Sequence, residues 1–401
     1  MKENLEIKIE REKRRYLDFA EKNREKKKYI YGAGKQAKTV LEFLKSMKIR
    51  IDGFCVTNKD DNRKIEKGIP VYQVNELNLK PDEVAFFIGV RYQLNSEIID
   101  ILKKNKYFNY LESSDLVRYL GQYGFDFYIN PMMEITTQLG CAVNCKYCPQ
   151  DVFINEYIKK ENAARTLSFD SYKICIDKLP PNTLIEFAGF TEPFFNRECI
   201  KMIQYAVEEG FKVNIFTTLR GVTDEIVDQL LGIQFEEFVI HVPDEEGYSV
   251  IPIDDNYKRV LRRLVNAKKP NGDYYVDYAS AQGTVPKEIK EIMGDDIRIY
   301  VVLNDRAGNL KDTSLYSKKN INGKIRCELA KDINHNVMLP DGRVILCSND
   351  WGMKHVLGNL LEQSYEDIMN GEEAQRIRRA MNDGTKDVIL CRNCFQALEI
   401  E

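Results

Sequence analysis

The chain has 401 residues, with 59 Lys and Arg against 62 Asp and Glu, a formal charge of −3, 43% hydrophobic residues and 30% charged ones. That length suits two or three domains, and the balance is that of a folded globular protein rather than a disordered one. A nearly neutral chain offers no polyanion-binding surface, so nucleic acid is not an expected partner. No apolar run approaches the roughly 18 residues of a membrane span, so no membrane association and a cytoplasmic location are expected.

The opening "REKRRYLDFAEKNREKKKY" alternates signs and reads as a solvated helix, not a signal peptide. "YIY" then runs into "GAGKQAKTVLEFL" and "RIDGFCV", a strand, a glycine turn, an amphipathic helix and a second strand. "GIPVY" and "DEVAFFIGV" continue the rhythm of a small doubly wound α/β domain. Gly32, Gly34 and Ala37 form G-x-G-x-x-A, a turn that admits a phosphate at a helix N-terminus. The same turn serves equally to pack strand on helix with no ligand. Asp60 and Asp61 in "VTNKDDNRK" are within reach of a ribose but lie further along than the usual acidic residue.

The middle third repeats the alternation on a larger scale. "MEITTQ", "LIEFAG", "KVNIFTT", "EEFVIHV", "YYVDYA" and "IRIYVVL" read as strands, with helical patterns such as "RECIKMIQYAVEEG" and "NYKRVLRRLVNAKK" between them. About six β/α units in series predict a parallel, barrel-like sheet with function at the C-terminal strand ends. Beyond residue 320, "LPDGRVILC" reads as a hairpin and "YEDIMNGEEAQRIRRAMNDG" as helix.

Ten cysteines without an export signal point to metal or iron–sulfur ligation rather than disulfides. Cys141, Cys145 and Cys148 crowd into "GCAVNCKYCPQ", directly after the first barrel strand. A closed zinc site wants four ligands, and no fourth Cys or His stands near. A [4Fe–4S] cube on three thiolates leaves one iron open to a further ligand. Cys327, Cys347, Cys391 and Cys394 form a second group, enough for one further iron–sulfur cluster or for zinc. Cys55, Cys175 and Cys199 read as packing thiols, with Cys199 a weak candidate hydrogen-atom donor. His241, at the end of "FVIHV", is a second weak catalytic candidate.

The C-x3-C-x2-C stretch, with Tyr147 in the aromatic slot, closely resembles the signature of the radical S-adenosylmethionine (SAM) superfamily. The resemblance implies that SAM binds the open iron and is cleaved to a 5′-deoxyadenosyl radical that abstracts hydrogen. It also implies that Tyr147 packs near the adenine. "FAGFTEP" resembles the family's glycine-rich element, with Gly189 admitting the backbone and Glu192 receiving the SAM ammonium group. Phe190 and Thr191 stand where that element usually has a further glycine. In the same resemblance Thr217 and Thr218 of "FTTLRG" lie near the SAM ribose or carboxylate. Arg306 and Asn309 of "NDRAGNL" match an Arg-x-Gly-Asn element that holds SAM or substrate.

From Cys327 the spacing to Gly342 and Cys347 resembles the start of the SPASM and twitch extensions of this superfamily. The fold expectation is therefore α/β in three parts. Residues 1–125 form a Rossmann-like domain, 126–320 a partial (β/α)6 radical SAM barrel, and 321–401 a SPASM/twitch-like domain with one auxiliary [4Fe–4S] cluster. The N-terminal part resembles the small Rossmann-like domain of carbohydrate-locus enzymes more than a winged-helix leader-binding domain. A carbohydrate or nucleotide-linked sugar is thus the expected substrate, to be oxidised, epimerised or dehydrated, with flavodoxin or ferredoxin as electron donor. Gly32 and Gly34 would hold the nucleotide. A peptide-modifying enzyme is the alternative; a non-catalytic iron–sulfur scaffold or electron carrier is a remote one.

Overall fold

In a computed structural model of the protein, the described residues are 5–58, 65–66, 68–90, 95–112, 130–160, 163–270, 274–294, 297–299, 304–311, 321–327, 329–330, 332–383 and 388–400. Asp60, Asp61 and the second half of "IRIYVVL" lie outside them. The chain divides into two compact units, the first of residues 1–128 with 270–273 and the second of residues 129–269 with 274–401.

Unit one carries strands β1 (Lys27–Tyr31), β2 (Gly53–Val56), β3 (Ile65–Glu66), β4 (Ile69–Gln73), β5 (Val84–Ile88) and β6 (Tyr110–Glu112) in the order β3-β4-β2-β1-β5-β6. All neighbours are parallel except β3 and β4. Order reverses at β1, which creates a crevice beyond the C-terminal ends of β1 and β5. Helices α1 (Leu5–Lys22) and α2 (Lys35–Ser46) cover one face, and α3 (Asn95–Lys104) covers the other. In α2 the buried Ala37, Val40, Leu41 and Leu44 repeat at helical spacing and meet Ile30, Phe54 and Phe87.

The N-terminal helix is not simply solvated. Tyr16 is fully buried, stacked on Phe87 at 5.5 Å and edge-on to Phe43 at 5.1 Å, and Phe19 meets Phe87 at 5.2 Å. Two aromatic side chains one turn apart anchor the helix through a large apolar area that the charge alternation masks.

Packing explains two of the three small residues in G-x-G-x-x-A. Gly32 has φ +108, and a Cβ there would stand 2.8 Å from the Gly89 carbonyl oxygen. A Cβ on Gly89 would in turn meet Ala37 Cα at 2.8 Å, so helix and strand touch backbone to backbone. Gly34 differs: it is exposed and a Cβ would meet nothing within 4 Å.

Unit two is built on one nine-stranded sheet. Six parallel strands run in chain order, β7 (Met132–Ile135), β8 (Leu184–Phe187), β9 (Lys212–Thr217), β10 (Glu237–His241), β11 (Tyr278–Ala281) and β12 (Ile297–Ile299). Helices α4 (Gln150–Tyr157), α5 (Phe169–Ile176), α6 (Cys199–Glu208), α7 (Asp224–Leu230), α8 (Asp255–Asn266) and α9 (Lys287–Met293) connect them. Sequential parallel order with helical crossovers is the expected β/α barrel pattern. Met133, Ile135, Ile185, Phe187, Val213, Ile215, Phe238 and Ile240 point into the apolar layer beneath the helices. The alternate residues Glu134, Glu186, Asn214 and His241 therefore face the other way.

Strand β13 (Lys324–Cys327) pairs with β17 (Ala397–Ile400) as a separate antiparallel ribbon. The hairpin of β14 (His335–Met338) and β15 (Arg343–Ile345), followed by β16 (Val356–Asn359), joins the barrel sheet because β14 lies parallel to β7. Residues 365–382 hold two helices instead of one, α10 (Tyr365–Asn370) and α11 (Glu372–Asn382). Gly371 between them is extended (φ −65, ψ 166), and Ser364 with Asp367 caps the first in a reciprocal box. Among the described residues no helix is long and apolar enough to cross a membrane.

Candidate functional site

The C-terminal end of β7 opens into the loop that carries Cys141, Cys145 and Cys148. Gln150, at the start of α4, clasps this loop: its carbonyl accepts the Cys141 amide at 2.8 Å and its amide donates to the Cys141 carbonyl at 3.3 Å. Two further backbone bonds tie the loop to residues 248–250, Lys146 donating to the Tyr248 carbonyl and Val250 to that of Val143. Asp244 holds that second loop in turn by accepting from the Tyr248 and Ser249 amides and the Ser249 hydroxyl. All three cysteines are half-buried.

The "FAGFTEP" loop meets the cysteine loop. The Glu192 amide donates to the Cys141 thiol, and the Thr191 hydroxyl donates to the Gly140 carbonyl at 2.9 Å. Gly189 has φ +55, and a Cβ there would stand 2.6 Å from Thr136 Oγ1 and 2.8 Å from the Ile135 oxygen, so this position admits no side chain. Phe190 turns out of the loop onto Trp351 (4.1 Å, 27°) and Phe153 (4.7 Å). The extra bulk relative to the glycine-rich pattern is thereby absorbed by an aromatic cluster.

Glu192 is 3% exposed. Its carboxylate accepts from the Thr217 hydroxyl at 2.7 Å, from the Thr218 amide and hydroxyl at 2.6 Å each, and from the Phe194 amide at 3.4 Å. Burial raises its pKa against the pull of those donors. Thr217 and Thr218 thus come to the site by holding Glu192.

Arg306 has φ +51 and makes a long hydrogen bond from Nε to the Tyr147 carbonyl at 3.5 Å. Its charge acts on Cys148, Tyr147, Glu134 and His241 together. Asn309 donates to the Arg306 carbonyl at 2.7 Å and to the Asn349 carbonyl at 2.9 Å. His241 bonds through Nδ1 to the Ser280 hydroxyl at 2.6 Å. Enclosure by its neighbours, with Arg306 second, pushes it down to about 4, so it is neutral near pH 7. Cys199 and Cys175 are fully buried in the apolar cluster beneath the helices of unit two, and Cys55 is fully buried in a core of unit one.

Cys145 and Cys148 are hydrogen-bonded to each other; that bond, helped by Arg306, lowers Cys148, while Cys145 is raised by it and Cys141 by its partial burial. Three soft donors on a clasped loop fit an iron–sulfur cube. Among the described residues no three His, Cys, Asp or Glu converge as a single metal ion would require. A cube takes each thiolate on a different iron, so its ligands stand apart.

The four later cysteines also come together. Cys391 senses Cys327 and Cys394, and Cys347 senses Cys394 and Cys391, with burial raising both. Cys327 sits opposite Ala397 in the β13–β17 ribbon. The 391–394 turn is held from behind: Arg392 donates to the carbonyls of Ile321, Gly323 and Ala380 at 2.6–2.9 Å. His355, 1% exposed, accepts the Leu390 amide on Nε2 at 3.0 Å, so its proton sits on Nδ1 and goes to Glu373 at 2.6 Å.

The sequence passed over Glu134, Ser348, Asn349, Trp351, Arg392 and His355. Glu134 alone carried a signal, a carboxylate within an otherwise apolar strand. It is 6% exposed, bonded to Ser348 and near Arg306, and burial pushes it up to about 7. Between about pH 4.5 and 7 the folded chain then keeps a proton that the unfolded chain has released. Stability should fall as pH rises through that window, by up to about 3 kcal/mol. Glu134→Gln should flatten this slope in urea midpoints of the metal-free protein, and an unchanged slope would remove Glu134 as its source.

Fold and site together fit a radical SAM enzyme with a C-terminal auxiliary-cluster domain, one that uses [4Fe–4S] clusters and SAM. Residues 327–395 match SPASM, an iron–sulfur cluster-binding domain, which decides for iron–sulfur over zinc there. The chain is 22% identical over 272 residues to the S-adenosyl-L-methionine-dependent 2-deoxy-scyllo-inosamine dehydrogenase of Niallia circulans, spanning 66% of this chain and 92% of that protein. Among solved structures it is similar to BtrN in complex with AdoMet and 2-DOIA (16% identity, TM-score 0.43, 64% of this chain and 88% of that one). Another is Streptococcus suis SuiB bound to precursor peptide SuiA (10% identity, TM-score 0.43, 71% of this chain and 79% of that one).

Proposed function

We propose that the protein oxidises a polyhydroxylated small molecule, a carbohydrate, aminocyclitol or nucleotide-linked sugar, by abstracting a carbon-bound hydrogen. The observation that carries this reading is the match to a 2-deoxy-scyllo-inosamine dehydrogenase over nearly all of that protein's length. The inward-facing Glu134, the Asn214–Glu186 pair at 3.2 Å and the His241–Ser280 pair support it, since a polyol demands closely spaced donors and acceptors.

In this reading Cys141, Cys145 and Cys148 hold the open-iron cluster, which with SAM supplies the hydrogen-abstracting radical. Glu192 receives the SAM ammonium group, oriented by Thr217 and Thr218. Tyr147, Gly189, Arg306 and Asn309 complete the SAM site. Cys327, Cys347, Cys391 and Cys394 hold one auxiliary cluster. Dehydrogenation of an alcohol removes a hydrogen atom, a hydroxyl proton and an electron. Glu134 would take the proton, and a cluster held by Cys327, Cys347, Cys391 and Cys394 would supply a site able to accept the electron. A flavodoxin- or ferredoxin-type donor would deliver the electron that starts each cycle, and the open Gly34 turn of unit one would take the phosphates of a nucleotide.

The test is anaerobic incubation of the reconstituted protein with SAM, reductant and panels of aminocyclitols, sugars and nucleotide sugars. The expected result is substrate-dependent 5′-deoxyadenosine release with a product two hydrogens lighter. Intact SAM cleavage with no product from any panel, but a mass change in a peptide, would overturn the substrate class. For nucleotide recognition, a ligand at 100 times its Kd should stabilise the fold by about 2.7 kcal/mol in a thermal shift. Gly34→Val, which fits the open space, should remove that shift without lowering the unliganded Tm. A shift that survives the substitution would move the nucleotide elsewhere.

A further inference from the structure

The short segment Cys347–Asp350 reaches several parts of unit two at once. Ser348 bonds Glu134 on β7. The Asn349 carbonyl accepts from Asn309, while its side-chain amide donates to Cys394 Sγ at 3.7 Å. Asp350 takes the amides of Lys354 and His355 at 2.8 and 2.9 Å, which fixes the turn that follows. Asn309 also donates to the carbonyl of Arg306, whose Nε reaches the Tyr147 carbonyl. An unbroken series of hydrogen bonds and backbone therefore runs from the Cys145–Cys148 loop to Cys394.

Asn349 is 6% exposed, and its Oδ1 has no partner among the described residues. An unmet buried acceptor costs about 1–3 kcal/mol. Reversing the amide would instead aim an oxygen lone pair at sulfur, so the unpartnered oxygen accompanies an N–H pointed at Cys394. Reduction of an iron–sulfur cluster adds negative charge to its sulfurs. A donor aimed at one of them favours the reduced form and raises the potential.

We infer that Asn349 is a positioning residue that raises the reduction potential of the auxiliary cluster and couples it to the Arg306–Asn309 loop. The inference rests on the reading of Cys327, Cys347, Cys391 and Cys394 as cluster ligands. By reciprocity, whatever binds at Arg306 and Asn309 then alters the auxiliary potential, and the auxiliary redox state alters binding there.

The test uses the full chain with Cys141, Cys145 and Cys148 changed to Ala, reconstituted so that it carries the auxiliary cluster alone. Its midpoint is read by EPR in a redox titration. Asn349→Leu should shift the midpoint to a more negative value, Asn349→Gln should restore part of it, and Asn309→Ala should give a smaller shift of the same sign. Iron and sulfide content, equal across variants, separates this from cluster loss. Equal midpoints for Asn349→Leu and its parent would overturn the inference. A shift from Asn349→Leu with none from Asn309→Ala would overturn the coupling. Absence of any [4Fe–4S] signal in the parent would instead overturn the ligand assignment itself.

Discussion

Cys148→Ala should abolish SAM cleavage, leaving 5′-deoxyadenosine release at the level of a no-enzyme control. Cys148 is the member of the trio whose pKa is drawn down, by the Cys145 bond first and then by Arg306, against the effect of burial. A cube left with two protein thiolates loses both its anchor and the geometry that leaves one iron open. The same variant should retain about half the iron of the parent, because Cys327, Cys347, Cys391 and Cys394 lie on other loops and are held by Arg392 and His355. Iron analysis with EPR of the reduced protein reads both outcomes together. Cleavage that survives the substitution would place the radical chemistry on other ligands.

Glu192→Ala carries the next largest effect, on SAM affinity. Removing one partner of a desolvated, hydrogen-bonded charge pair costs about 2–5 kcal/mol, roughly 30- to 4,000-fold in Kd. The vacancy also strands the Thr217 and Thr218 donors, so the apo protein should lose about 1–3 kcal/mol of stability as well. Glu192→Gln keeps the shape and removes the charge, and it should weaken SAM binding with a smaller loss of stability. The pH trends oppose each other. Since burial raises this carboxyl, apo stability contributed by the protonated form declines as pH rises through the raised value. SAM affinity, which needs the carboxylate, rises over the same interval. Calorimetric titration of SAM against both variants checks the affinity. A Gln variant binding as tightly as the parent would make Glu192 a structural cap alone, consistent with its place before the short helix Pro193–Phe195.

The cysteine groups, the glycine-rich loop and the six-strand rhythm were legible because each is a local pattern. Thiolate spacing, a positive φ at Gly189 and alternation along strands are all written in neighbouring residues. The contacts that organise the site were not legible, because their partners stand far apart in the chain. Ser348 meets Glu134, Asn309 meets Asn349 and His355 supports Leu390, and no period or spacing links them. Charge alternation in the first helix concealed Tyr16, since a single buried ring leaves little trace in an otherwise polar run. Gly371 was read as part of one helix although it separates two.

Strand β14 closes one side of β7, nearly 200 residues after β7 is synthesised. Until then, during translation, the first barrel strand has β8 on one flank and a bare row of backbone donors and acceptors on the other. Such an unpaired edge invites pairing with another chain. The last quarter of the protein is therefore a late-arriving edge guard as well as a cluster holder. The thiols of Cys141, Cys145 and Cys148, on the loop that follows that same strand, gain their finished framework only when the C-terminal hairpin has docked.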